Sequence, residues 1–160
     1  MADSLKFGTS GLRGLATDLV GSAARRYSAA FVRHLAATGQ EGNRRVYLAR
    51  DYRESSPAIA GDCAVAVRAA GFEPVDCGVL PTPALALHAM SLGGSAIMVT
   101  GSHIPADRNG LKFYVPRGEI TKDDEAGIAS GLLDAVPQGS AAAADEYALA
   151  GDRYRQRYRH

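Results

Sequence analysis

Apolar residues change their spacing several times along the chain, and each change predicts an element. Between Ser22 and Thr38, Tyr27, Phe31 and Leu35 recur every four positions, with Arg25, Arg26 and Arg33 mostly off that line and Gly39 as a stop. This spacing predicts an amphipathic helix. The run RRVYLAR, Arg44 to Arg50, is short and holds β-branched and aromatic residues, as a strand does. SSPAIAGDCAVAVRAAGF predicts a second helix, with Ser56 as cap, Pro57 in first position, an apolar line through Ile59, Cys63 and Val67, and Gly71 at the end. EPVDCGVL reads as a strand, and TPALALHAMSLGG as a helix opened by Thr82 and Pro83 and closed by Gly93 and Gly94.

SAIMVT is continuously apolar, too short for a helix, and is closed by Gly101, so a strand buried on both faces is expected. GLKFYV predicts a further strand. TKDDEAGIASGLLDAV predicts a last helix with Thr121 as cap and Asp124 three residues on, close to a capping box. Alternating helices and strands predict an α/β fold: a three-layer α/β/α sandwich, its mixed sheet mostly parallel with helices on both faces and GLKFYV antiparallel. Residues 1–137 are expected to form this domain. From 138 to 160 the chain turns small and polar, then basic, and is expected to be a connector and the opening helix of a following domain, with Tyr154 and Tyr158 at helical spacing.

At 160 residues the chain can bury roughly 70% of the surface that its unfolded form exposes. The formal net charge of +1 gives no general attraction to nucleic acid or to an anionic membrane, so charge must act locally. The arginines near the C-terminus suit a nucleic-acid tail less well than a helix. Cys63 and Cys77 are too few for a disulfide scaffold and lack zinc spacing, so both are expected to pack as small apolar residues in a reducing cytosol. No apolar stretch is long enough to span a bilayer and no leader opens the chain, which predicts a soluble cytoplasmic protein.

Three polar stretches exceed what packing needs. KFGTSGLRG (Lys6 to Gly14) frees the backbone at three glycines and offers the planar fork of Arg13, but it lacks the Gly-Lys-Ser/Thr of a nucleotide loop. Alone, it also fits a plain glycine-rich turn. VTGSHIPADRNGLKFY places Ser102 and His103 at the carboxyl end of the buried strand, where ligands of such sheets bind. The Gly-x-Ser-x-Gly elbow of hydrolases is absent, so acyl transfer is disfavoured. Phosphoryl chemistry fits better, because it needs positioned cations, and Arg13, Arg108 and Lys112 are at hand. A lone Ser102 would otherwise read as a turn cap. ARDYRESS contributes Arg50, Asp51 and Arg53 at the end of another strand, as a charged support or a solvated loop.

FGTSGLRG, ARDYRESS, VTGSHIPADRNGLKFY and GEITKDDE, in this order from Phe7 to about Val136, resemble the first domain of the α-D-phosphohexomutases of the phosphomannomutase/phosphoglucomutase type. The resemblance implies that Ser102 carries a phosphoryl group. It would be donated to a hexose monophosphate, giving a 1,6-bisphosphate that returns the other phosphoryl group. The same resemblance makes Arg13, Lys112 and His103 catalytic companions, with electrostatic stabilisation the physically safer role for Arg13. Thr9, Ser10, Gly11, Arg50, Asp51 and Arg53 are the candidates for holding substrate phosphate. Where the family commonly has Thr-Ala-Ser-His-Asn-Pro, this chain has Gly101 and Ile104. Serine at position 10 leans towards mannose or glucose phosphate over glucosamine phosphate.

Magnesium is implied as cofactor, with Ser102 a ligand through its phosphate, and a hexose 1,6-bisphosphate as activator. The family's magnesium loop, Asp-x-Asp-x-Asp-Arg, its sugar-selecting loop and its phosphate-binding loop belong to later domains and do not occur in this sequence. KDDEAG has adjacent acids at a helix start, without that alternation. Expected partners are therefore a hexose phosphate and the remaining domains of a longer chain, and this part alone is expected to be inactive. The alternative is a non-catalytic phosphate or phosphosugar binding module.

Overall fold

The alternation of apolar residues along the strands sorts the core into two layers. In the computed structural model, which describes residues 4–9 and 11–157, β3 (Arg45–Arg50) turns Val46 and Leu48 to one face of the sheet and Tyr47 and Ala49 to the other. On the first face pack α2 (Ser22–Ala37), α3 (Ser56–Ala69) and α5 (Lys122–Ser130), through Phe31, Leu35, Ile59, Val67 and Ile128. On the second pack α4 (Thr82–Ser91) and α6 (Tyr147–Arg157), through Leu85, Ala89 and Ala150. The expected α/β/α sandwich is therefore present.

The sheet order is β1-β2-β6-β5-β3-β4-β8, with β7 (Gly118–Glu119) paired to β6. β5 (Ser95–Val99), β3, β4 (Glu73–Val79) and β8 (Ala144–Asp145) pair in parallel. β6 (Arg108–Val115) is antiparallel to β5 and to β2 (Gly11–Leu15), which is antiparallel to β1 (Lys6–Gly8). Only β1 and β6 run against the other strands. β5 is buried along its whole length, as its unbroken apolar run predicts.

Several elements differ from the sequence expectation. The glycine-rich stretch is a β-hairpin rather than a turn, followed by a short α1 (Ala16–Leu19). Its register needs Gly11: this residue stands at φ +93°, and an added Cβ would overlap the Leu111 carbonyl oxygen across the ladder. Ser56 does not cap α3. The N-cap is Ser55, whose side chain makes no capping bond, and Ser56 turns its hydroxyl to Asp51. α5 stops at Ser130 rather than Val136: Gly131 is its C-cap, and the irregular segment beyond is tied to α2, where Arg33, Arg26 and Arg25 donate to the carbonyls of Gly131, Leu133 and Pro137 at 2.9, 2.6 and 3.1 Å. Beyond residue 138, β8 pairs with β4 and α6 packs on α4. His88 anchors α6: its Nε2 bonds Glu146 at 2.9 Å, and its Nδ1 accepts from Arg153 at 3.2 Å.

Both cysteines are free and buried, Cys63 against the first helical layer and Cys77 against the second, and burial pushes each thiol up to about 12. Among the described residues no helix is long and apolar enough to cross a membrane.

The capping box at Thr121 forms as expected, with Asp124 N donating to Thr121 Oγ1 at 3.1 Å and Thr121 N to Asp124 Oδ2 at 3.0 Å. Asp124 Oδ1 also meets His34 Nε2 at 2.8 Å and Gln40 Nε2 at 3.0 Å, clasping α5 to α2. Burial opposes its charge, yet these bonds outweigh it and hold the carboxyl well below the usual carboxylate range. Asp124→Ala is expected to cost about 2–4 kcal/mol at pH 7, through a lost cap and lost charge-assisted bonds. A depressed pKa stabilises above the unfolded value, so denaturant melts should show this deficit undiminished down to about pH 5 and shrinking as pH falls below about 4.

Candidate functional site

The parallel strands end at one edge, and the loop that leaves β5 there is organised by a carboxylate. Asp51 follows β3 directly. Its Oδ2 accepts from Thr100 Oγ1 and Gly101 N, both at 3.0 Å, and its Oδ1 from Ser56 Oγ at 2.5 Å and Arg53 N at 3.1 Å. Burial by itself would raise the Asp51 carboxyl, but the donors from Ser56, Gly101, Arg53 and Thr100 prevail and hold it below its ordinary value.

Arg53 extends this anchor. Its Nε bonds Asp51 Oδ2 at 3.2 Å, one terminal nitrogen donates to the carbonyls of Pro105 and Arg108, and the other to those of Ser102 and Ile104, at 2.7 to 3.2 Å. The planar fork thus clamps four carbonyls of one loop, which a lysine cannot do. Its guanidinium lies against Gly101, where a Cβ would overlap it, so the glycine of this variant motif answers a need for space. Asn109, fully buried, completes the frame with 2.9 Å bonds from its amide to the hydroxyls of Ser55 and Ser56. Thr100 and Asn109 were not singled out in the sequence. Their one signal was position, a polar residue at either end of the loop between two apolar strands.

On this frame Ser102 is exposed at φ +51°, a left-handed conformation uncommon for a non-glycine residue. Its N–H donates to Thr100 Oγ1 at 3.0 Å. Ser102 lines one shallow depression with Arg13, Thr100, Gly110 and Lys112. Arg13 stands opposite Gly110 in the β2–β6 ladder, and Lys112 lies two residues further along β6 on the same face. Lys112 Nζ meets Glu119 Oε1 at 2.9 Å. The bond to Glu119 outweighs partial burial and raises the ammonium above its ordinary value, so it is cationic at neutral pH and serves as a fixed positive charge rather than a base.

The other sequence candidates are dispersed. His103 and Thr9 are exposed near the loop and the hairpin turn. Gly11 serves the register, Arg53 commits its donors to the loop, and Arg50 pairs with Asp76 at 3.5 Å in a separate groove against α3. Ser10 lies outside the described residues. For magnesium, the described residues contain no group of three or more His, Cys, Asp or Glu able to hold an ion, and the one carboxylate beneath the loop is already saturated with donors. The residues present do not by themselves fit the octahedral oxygen set that magnesium needs.

The fold and this edge define a three-layer α/β/α domain that presents a strained serine beside two cations. The family model described as phosphoglucomutase/phosphomannomutase, alpha/beta/alpha domain I, matches residues 4–135, and the chain belongs to that family as its N-terminal domain. It is 52% identical over 96% of its length to a phosphomannomutase of Sinorhizobium fredii, and 51% identical over 78% to one of Salmonella muenchen. It spans only 34% and 26% of those two relatives. A structure titled as a putative phosphomannomutase from Thermus thermophilus superposes with TM-score 0.79 at 27% identity, over 91% of this chain and 34% of that one. A phosphoglucomutase/phosphomannomutase family protein of Burkholderia thailandensis gives 0.71 at 34% identity, over 88% and 32%.

Two outcomes test this geometry. In Arg53→Ala, amide exchange should accelerate across residues 101–108 and not in α4, with a stability loss of about 2–4 kcal/mol as the fork and the Asp51 charge lose each other. In Glu119→Gln, the Lys112 ammonium should titrate at lower pH than in the parent, read from its side-chain NMR signals.

Proposed function

We propose that this chain is the catalytic-serine domain of a phosphohexomutase that interconverts hexose 1-phosphate and hexose 6-phosphate. The observation that carries the reading is Ser102 itself, exposed and strained at the carboxyl edge of the sheet with Arg13 and Lys112 around one depression. In the first half-reaction the bond between phosphorus and the serine oxygen breaks as one forms to a sugar hydroxyl oxygen, whose proton passes to the departing serine oxygen. In the second, the bisphosphorylated sugar returns its other phosphoryl group: the bond between the other phosphorus and its sugar oxygen breaks as one forms to the serine oxygen, and the proton returns to the sugar oxygen. Arg13 and Lys112 stabilise charge on the transferring group, and electrostatic stabilisation of this kind dominates phosphoryl transfer. His103, exposed and next to the serine in sequence, is the remaining candidate companion in this loop.

Magnesium, when bound, would neutralise phosphoryl charge. Ser102 would supply one ligand through its phosphate, and the other ligands would come from beyond this chain. That fits a chain covering about a third of its relatives; since β8 and α6 join the sheet and its second helical layer, the domain extends past residue 137 and a following domain would start after α6. The 160 residues alone should show little turnover. Relatives named phosphomannomutase match at 52% and 51% and those named phosphoglucosamine mutase at 33 to 35%, which supports mannose or glucose phosphate as substrate.

The deciding experiment is intact mass and peptide mapping of the full-length protein after incubation with a hexose 1,6-bisphosphate. One added phosphate on Ser102 is expected, with Ser102→Ala unlabelled and its turnover lowered by at least about 10³-fold. An unlabelled Ser102 in an active protein would overturn the mechanism.

A further inference from the structure

The antiparallel limb of the sheet gathers more positive charge than the serine requires. Lys6 and Arg13 are direct cross-strand partners in the β1–β2 ladder, and Arg108 opposes Leu15, placing it on the same face as Arg13. Like charges set opposite each other in a sheet are destabilising. Among the described residues none of these three side chains forms an ion pair, whereas Lys112 on the same face has Glu119. The second helical layer stops short of this limb: its apolar cluster reaches Tyr114 on β6 but includes no residue of β1 or β2.

The three cations instead line an open cleft of about 490 Å³, walled by Phe7 and Ile104. Glu125 comes near its rim at Gly8, without pairing to the cations. The Arg53 clamp on the carbonyls of Ile104 and Arg108 presets one wall. The volume lies in the range of small-molecule sites.

We infer that Lys6, Arg13 and Arg108 form a second subsite for a phosphate monoester, beside the Ser102 depression and sharing Arg13 with it. The inference rests on the mutase reading above. An intermediate with two phosphates can engage Ser102 with one while this face holds the other as it arrives or departs, so that the bisphosphate stays on the protein between the two transfers. Lys6 and Arg108 act as positioning residues and touch neither the serine nor the bond that breaks.

The test uses the full-length protein with Lys6→Gln, Arg108→Gln, Arg108→Lys and, as a control of equal charge change, Lys122→Gln on the surface of α5. Ser102 should take up phosphate in all of them. The hexose 1,6-bisphosphate concentration giving half-maximal turnover should rise about tenfold in each glutamine variant of the subsite, less at high salt, and return most of the way in Arg108→Lys. Lys122→Gln should match the parent. Release of labelled bisphosphate during turnover should quicken in the same two variants. Labelled Ser102 with unchanged activation and release would overturn the subsite. Should Ser102 of the parent take no phosphate, the mutase reading fails separately, and equilibrium dialysis with inorganic phosphate decides the subsite: weaker binding in Arg108→Gln than in the parent upholds it, and equal binding overturns it.

Discussion

The carboxylate of Asp51 is the constraint on which the site depends. It collects donors from its own loop and the adjoining start of α3, and from the end of β5 some fifty residues away, so two segments distant in sequence converge on two oxygens. Partial burial makes such a group costly unless it is bonded, and the bonds are numerous enough to keep it anionic. Arg53 then carries that negative anchor outward to the carbonyls of the serine loop. A left-handed serine persists only where its surroundings over-determine it. Here the surroundings are an arginine fork above Gly101 and a threonine hydroxyl beneath the Ser102 amide.

This frame divides the cations by task. Arg53, Arg50 and the arginines of α2 are committed to carbonyls or carboxylates and act as structure. Lys112 keeps one acidic partner, which secures its charge. Arg13, Lys6 and Arg108 form no ion pair among the described residues, and they share the part of the second face, over the antiparallel limb, that α4 and α6 do not reach. A chain with a net charge of only +1 thus concentrates unpaired positive charge beside its exposed serine.

The mixed sheet produces that placement. Its parallel half is covered on both sides, which is what such strands require. The antiparallel limb of β1, β2 and β6 is covered by α2 and α5 on one side and open on the other, where charged side chains can alternate with buried Leu12, Leu111 and Phe113. The site lies where helical cover ends and the parallel strands finish.

Local pattern was enough to determine much of this. The four-residue recurrence of Phe31 and Leu35, the Thr121–Asp124 cap and the unbroken apolar run of β5 act within a turn or a strand, so their spacing alone predicts the element. The ordered motifs likewise placed Ser102, Arg13 and Lys112 together. What remained hidden depends on partners far apart in the chain. Nothing near Ser130 announces that arginines about a hundred residues earlier will tie down the segment after it, nor does ARDYRESS disclose that Arg53 serves a loop some fifty residues away while Arg50 points elsewhere. The like-charge row of Lys6, Arg13 and Arg108 is equally silent in sequence, because strand register decides which side chains stand side by side, and register is settled only when the sheet packs against its helices.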